Sequence, residues 1–448
     1  MKRVAVVGSG ISGLAVAHAL ASEAHVTLFE AGDYFGGHTH TVNVTLDGAT
    51  HGVDTGFLVF NERTYPNLIR LFAELGVETA PAEMSFSVQV PGGAHQQGLE
   101  WSGNDLNGVF AQRRNLLRPR FLRMLADIVR FNRLATGLAE RGTDASADAS
   151  ADADLSEPIG DFLARHRFGA PFREGYFLPM IGCIWSCPTD QMLQFPIATM
   201  IRFCHNHGLI QISNRPQWHT VRGGAKHYVQ RMLPRIADAR LRSPVLGVKR
   251  LPPGSGTHGV LVATALGSER FDEVVLASHS DQSLALIDDA SVTERRVLGA
   301  IRYHLNRALL HTDTVVLPQR QRAWAAWNYA RASDLGREQA AVCLHYLINR
   351  LQPLPWQQPV IVSLNPDPTR MPQPQKVLGE YNYSHPVFDQ AAIAAQQQLP
   401  QIQGQSGLWF CGAWTRYGFH EDGLMSALAV VDGLREQWRQ QSTLKAVA

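Results

Sequence analysis

Five cysteines in 448 residues are too few, and odd in number, for a disulfide framework. They read as reduced thiols. Cys183 and Cys187 miss the redox Cys-x-x-Cys spacing by one residue, and no second pair follows to complete a zinc site. Even with Cys204, His205 and His207 nearby, they are expected to be buried and structural, with no metal. A formal net charge of +2 offers no electrostatic footing for a nucleic acid. No uninterrupted apolar run reaches the about 20 residues that a membrane-spanning helix needs. Met1-Lys2-Arg3, an apolar stretch and Ala19-Leu20-Ala21 have the outline of a secretory signal, but three glycines break the apolar core. These shortages point to a cytoplasmic protein. With 45% hydrophobic residues and this length, two or three packed domains are expected.

What is present begins at once. A β-branched run, Val4 to Val7, enters Gly8-Ser9-Gly10-Ile11-Ser12-Gly13 and then an Ala/Leu-rich helical stretch. A second strand-like run, His25 to Phe29, ends on Glu30. This is a βαβ dinucleotide fingerprint in its required context. Gly8 permits the tight turn, Gly10 lets backbone approach a pyrophosphate, and Gly13 allows helix to pack on strand. The helix N-terminus faces the phosphates, and Glu30 is spaced to accept the hydroxyls of an adenosine ribose.

Further along, Gly36-Gly37 marks another sharp turn or ligand approach. Thr41 to Leu46 alternates like a strand, Asp47-Gly48 signals a hairpin, and the chain returns toward Val53-Asp54-Thr55-Gly56. Helical spacing over 65–75 stops at Gly76, and 84–90 reads as a strand. From about Leu106 to Phe177 the composition turns helical. Within it, Gln112 to Arg141 carries eight arginines against Asp127 and Glu140. One reading is a basic amphipathic surface for anionic lipid. The other, favoured because Pro119 interrupts the pattern, is the outer face of an ordinary helical domain. Residues 142–157 are of low complexity and are expected to form a surface loop. A glycine-started helix follows Gly223-Gly224, then strands at 245–251 and 259–265, and a buried parallel strand at 271–277. At the end, Leu408 to Cys411 is a strand entering Gly412, with a loop to Gly423 and a helix from Leu424. That helix N-terminus again offers N–H groups to something negative, with Asp422 as a candidate cap.

In this order, these features resemble the flavin-containing amine oxidase superfamily, which includes monoamine oxidases, protoporphyrinogen oxidase and carotenoid desaturases. The run Gly418 to Leu424, with Asp54-Thr55-Gly56-Phe57, is more narrowly similar to bacterial predicted NAD/FAD-binding oxidoreductases. A related domain is fused to plant cyclopropane-fatty-acid synthases. The resemblance implies an α/β fold with an α+β insert. A Rossmann-type FAD-binding domain, discontinuous over 1–85, 215–292 and 405–448, would carry an inserted mixed helical/β substrate domain over 86–214 and 293–404. FAD would lie extended. Gly8, Gly10, Ser12 and Gly13 would hold its pyrophosphate and Glu30 its ribose. Gly36 and Gly37 would line the path to the flavin. His38 stands where amine oxidases usually have arginine. Val245 or Val248 would meet the adenine, and Thr55, Gly56 and Phe57 would approach the isoalloxazine. Gly412, Glu421, Asp422, Gly423 and Leu424 would hold the ribityl chain and the pyrimidine edge. Cys411 lies too early in its loop for a thioether link, so FAD is expected to be non-covalent.

The function implied is an FAD-dependent oxidoreductase that takes hydride from, or desaturates, an apolar substrate such as a lipid or fatty-acyl chain, with peripheral contact to the inner membrane surface. His420 and Tyr417 are the candidate polar groups beside the reacting centre. The alternatives are an amine or amino-acid oxidase, with Trp185, Trp324, Trp327 and Tyr381 as an aromatic cage, and a flavoprotein partner of a lipid-modifying methyltransferase.

Overall fold

The structure, a computed structural model, describes residues 1–92, 98–141, 157–211, 215–251, 259–332 and 341–447. All but the last residue of the low-complexity stretch 142–157 therefore lies outside the described residues.

Val4, Ala5 and Val6 are fully buried because their strand, Lys2–Val7, is covered on both faces. It pairs in parallel with Ala24–Phe29 on one side and Glu273–Leu276 on the other. Asp238–Arg240 and Leu408–Phe410 complete a five-stranded parallel sheet. The chain leaves the first strand for one neighbour and returns much later to the other. The crevice at the carboxyl ends of these strands is where such sheets bind ligands. Helix Ile11–Leu20 packs on the sheet against the last helix, His420–Val447. The other side carries an antiparallel meander, Val245–Arg250, Val260–Thr264 and Gly267–Phe271, whose Val248, Val260 and Phe271 join a buried cluster with Val274 and Leu276.

A seven-stranded sheet forms the second layer system. Its order is Val377–Val387, Arg302–His311, Ile361–Leu364, Leu344–Leu347, Trp327–Ala330, Phe86–Val90 and Leu99–Ser102, antiparallel except between Trp327–Ala330 and Phe86–Val90. Helices pack beside it around Phe131, Phe172 and Phe177, tied to the sheet by the Trp101 indole N–H on Gly175 O at 3.1 Å. Among the described residues no helix is long and apolar enough to cross a membrane.

Three local expectations change. The hairpin forms as read, with strands Thr41–Leu46 and Ala49–Asp54, but 271–277 splits. Phe271 ends the meander, Asp272 donates its N–H to Arg3 O at 2.8 Å, and the parallel strand starts at Glu273. Pro119 does not interrupt a helix. It opens Pro119–Arg141, where a missing N–H leaves no hydrogen bond unmade. The last helix begins at His420 rather than Leu424, so Glu421, Asp422 and Gly423 belong to its first turn.

Candidate active site

One cavity of about 830 Å³ runs from the fingerprint turn, past Gly37, His38, Gly56 and Phe57, to Gly412, Tyr417 and His420. At its fingerprint end the glycines act as the motif requires. Gly8 has φ of +101°, and a Cβ on Gly13 would stand 1.8 Å from Gly8 O. At Gly10 an added Cβ would meet nothing within 4 Å, so that backbone faces open space. The helix begun by Gly10 has no side-chain cap. Its first N–H groups are therefore available to phosphate oxygens. Glu30 reaches the same turn. One oxygen accepts from Ser9 N at 3.0 Å and Ser9 Oγ at 2.5 Å, the other from Gly32 N at 2.7 Å. Gly36 N donates to Ser9 Oγ at 3.1 Å, binding the second glycine pair to the first.

Two helix N-termini meet at this cavity. The Ser12 hydroxyl donates to Gly423 O at 2.9 Å, and a Cβ on Gly423 would lie 2.9 Å from both Ile11 Cγ2 and Ser12 Oγ. Gly423 is therefore a helix-packing residue, and Leu424 is buried in the core behind it. Glu421 does not line the cavity. Its carboxylate caps helix Pro66–Leu75, accepting from Asn67 N at 3.0 Å, Asn67 Nδ2 at 2.6 Å and Leu68 N at 2.9 Å. A contact from Glu421 to a ribityl chain does not fit that orientation. Asp422 accepts from Phe419 N at 3.0 Å, bracing the helix start, and burial pushes its carboxyl up to about 7. Val245 lines the cavity, whereas Val248 is fully buried with its carbonyl taken by Asp288 N at 3.0 Å. Only Val245 is placed to meet an adenine.

The opposite end is built by side chains. His420 stacks on Phe57 with centroids 3.8 Å apart. Its Nε2 lies 2.9 Å from both Thr39 Oγ1 and Tyr228 OH, which also contact each other. Burial, then His38, pushes its pKa down to about 3, so the ring is neutral. His38 is held down to about 4 by burial and then by His279, among His279, Tyr383 and His385 with centroids at 6.0, 5.3 and 5.5 Å. Thr55 is turned away from the cavity, with Oγ1 at 2.6 Å from Tyr383 OH and 3.0 Å from His40 Nδ1. Tyr417 lines the cavity and accepts on its carbonyl from the Trp185 indole at 3.3 Å. Beneath, Asp54 accepts from Thr41 Oγ1 at 2.5 Å, Ala225 N at 2.9 Å and Gln352 Nε2 at 2.8 Å, and burial pushes its carboxyl up to about 7. Of the aromatic quartet, Trp185 and Trp327 line the cavity. Trp324 packs near Val316 and Leu317, and Tyr381 lies edge-on to His40.

Sequence reasoning missed His279, Tyr383, His385 and Tyr228. One signal was available. Tyr381, Tyr383 and His385 alternate along strand Val377–Val387 and so share a face. The five cysteines are all buried, and among the described residues no group of three His, Cys, Asp or Glu could hold a metal ion.

The glycine turn, two converging helix N-termini and a carboxylate at the end of the second strand fit an extended FAD. The sequence profile described as flavin containing amine oxidoreductase matches residues 11–324. No curated protein matches the chain significantly. Among solved structures, the fold is similar to a CLA-producing fatty acid isomerase from P. acnes, at TM-score 0.64, 14% identity, 96% of this chain and 98% of that one. It is similar to a putrescine oxidase at TM-score 0.68, 15% identity, with 97% and 99% covered. Cyclohexylamine oxidase from Brevibacterium oxydans IH-35A gives TM-score 0.63 at 17% identity, with 97% and 99% covered. The chain belongs to the flavin-containing amine oxidoreductase family and is an FAD-dependent oxidoreductase.

Proposed function

We propose that this oxidoreductase takes hydride from an apolar, lipid-like substrate. One observation carries the reading: among the described residues that line the cavity, Glu30 alone is an Asp, Glu, Lys or Arg, and it sits at the adenosine end. The far wall is Met84, Trp185, Phe203, Leu209, Trp218 and Trp327. An ammonium group entering there would shed its water with no carboxylate to replace it, which is costly. A hydrocarbon chain would gain from the same burial.

Bound FAD supplies the hydride acceptor. The chain's own contribution is orientation and polarity. The N-terminus of helix His420–Val447 presents its positive end to the cavity and favours negative charge there. His420, kept neutral and fixed by Thr39 and Tyr228, offers a hydrogen bond without bringing a charge. Tyr417 stands beside it as the second polar group near the reacting centre. The aromatic wall excludes water.

Anaerobic titration of the FAD-loaded protein tests this. Unsaturated or saturated lipids are expected to bleach the flavin absorbance, while primary and secondary amines leave it unchanged. Bleaching by amines but by no lipid would overturn the reading.

A further inference from the structure

The outer face formed by helix Leu106–Val109, the turn Arg113–Leu117 and the first turns of Pro119–Arg141 is unlike the rest of the surface. Leu106, Leu116, Leu117 and Leu122 are 76%, 49%, 87% and 43% exposed. Elsewhere exposed large apolar residues are scattered singly, which is ordinary. Four within seventeen residues are a patch.

The patch is also basic. Arg113, Arg114, Arg118, Arg120 and Arg123 lie among the leucines, and no Asp or Glu occurs from 106 to 126. Arg113 donates to Asn107 Oδ1 at 2.9 Å and Arg114 to Gly98 O at 3.2 Å, both neutral acceptors. Arg114 is held below its ordinary pKa by burial and then by Arg118 and Arg320, against the opposing pull of Glu100, which Arg320 binds at 2.9 Å. The inner face of the long helix is anchored by Phe121, Met124 and Phe131. Leu122 and Arg123 therefore project outward by packing rather than by accident.

Next to the patch is a cleft of about 550 Å³ whose lining includes Asn107 and mixes Arg215, Arg322 and Arg350 with Glu83 and Asp105. Asn107 is the residue that Arg113 contacts. Met84 lines both this cleft and the large cavity.

We propose that this face docks on an anionic lipid leaflet, with the leucines entering the headgroup boundary and the arginines meeting phosphates. Docking sets the cleft against the membrane surface, so that an acyl chain reaches the cavity from the leaflet past Met84, which lines both. The acyl route rests on the apolar-substrate reading above; the docking does not. Charge complementarity selects the partner: each basic side chain near such a surface strengthens binding about fivefold, and exposed leucines beside them supply insertion. An acidic partner would satisfy the arginines but leave the four exposed leucines unexplained.

Sedimentation of the FAD-loaded chain with phosphatidylglycerol or phosphatidylcholine vesicles decides. Binding to phosphatidylglycerol, weak binding to phosphatidylcholine and release by salt are expected. The exposed double variants Leu116→Asp/Leu117→Asp and Arg120→Glu/Arg123→Glu should keep the parent's melting temperature and flavin spectrum but bind phosphatidylglycerol at least about twentyfold more weakly. Failure of the parent to sediment with phosphatidylglycerol, or equal sedimentation of folded variants, overturns the proposal. Intact vesicle binding with flavin that no lipid reduces would support docking while sinking the substrate reading alone.

Discussion

At the adenosine end of the cavity the contacts are short and made largely by backbone: Gly8 and Gly13 in touching distance, Ser9 and Gly32 on Glu30, a helix with bare N–H groups. At the flavin end they are made by rings. Phe57 lies on His420, and His38, His279 and His385 gather beside Tyr383, on segments up to hundreds of residues apart. The first end recognises a group found in every dinucleotide and is constrained by sterics that tolerate no side chain. The second end must suit one substrate and is constrained by burial. A change at the first should weaken or abolish cofactor binding, whereas a change at the second should tune what binds beside it.

Acid should act most severely on the buried histidines, of which His38, His279, His385 and His420 line the cavity and His311 and His345 lie in the seven-stranded sheet. Burial holds His38, His207, His279 and His311 at about 4 and His345, His385 and His420 at about 3. Unfolded histidine takes its proton near pH 6.5, so the unfolded chain binds more protons between the two values, and stability rises with pH from about 4 to about 6.5. Asp54 and Asp422, both pushed up to about 7, and Glu273, raised by burial, act oppositely, but they are three against seven. The urea midpoint at pH 4.5 is therefore expected well below that at pH 7, with flavin released in parallel. An unchanged midpoint would mean that the histidines are not held neutral.

Gly13→Ala comes next, since its Cβ would stand 1.8 Å from Gly8 O. The expected loss is about 3 kcal/mol, with colourless protein on purification. Glu421→Ala uncaps helix Pro66–Leu75 and should cost about 1–2 kcal/mol in denaturant unfolding. Its flavin spectrum should match the parent, because Glu421 faces away from the cavity. Gly10→Ala should change stability least, within about 0.5 kcal/mol, because its Cβ enters open space. That space is where the pyrophosphate belongs, so FAD binding by flavin fluorescence should weaken about tenfold. A Gly10→Ala protein that binds FAD like the parent would erase the contrast between the two ends.

This contrast also explains what could be read from the chain. Gly8, Gly10 and Gly13 were legible because each answers a local backbone demand. The start of the last helix was not. Glu421 and Asp422 look like loop residues that reach for a ligand, yet they are first-turn acids. Glu421 is committed to Asn67 and Leu68, 354 and 353 positions away in sequence, and such a partner has no local trace. The strands on either side of Asp272 ran together because Phe271 and Val274 are equally apolar, although they face different neighbours. His38 was noticed only as a departure from arginine. That it joins His279 and His385 depends on two other layers closing over it.

Ser12 and Gly423 are joined across 411 positions. A ribosome adding about 5–20 residues per second spends roughly 20–80 s between them. Through that interval the phosphate-binding turn is made but unsupported: its partner helix and the edge strand Leu408–Phe410 do not yet exist. The finished cofactor site therefore draws on residues from both ends of the sequence, and the turn gains its partner helix only when the last helix is made.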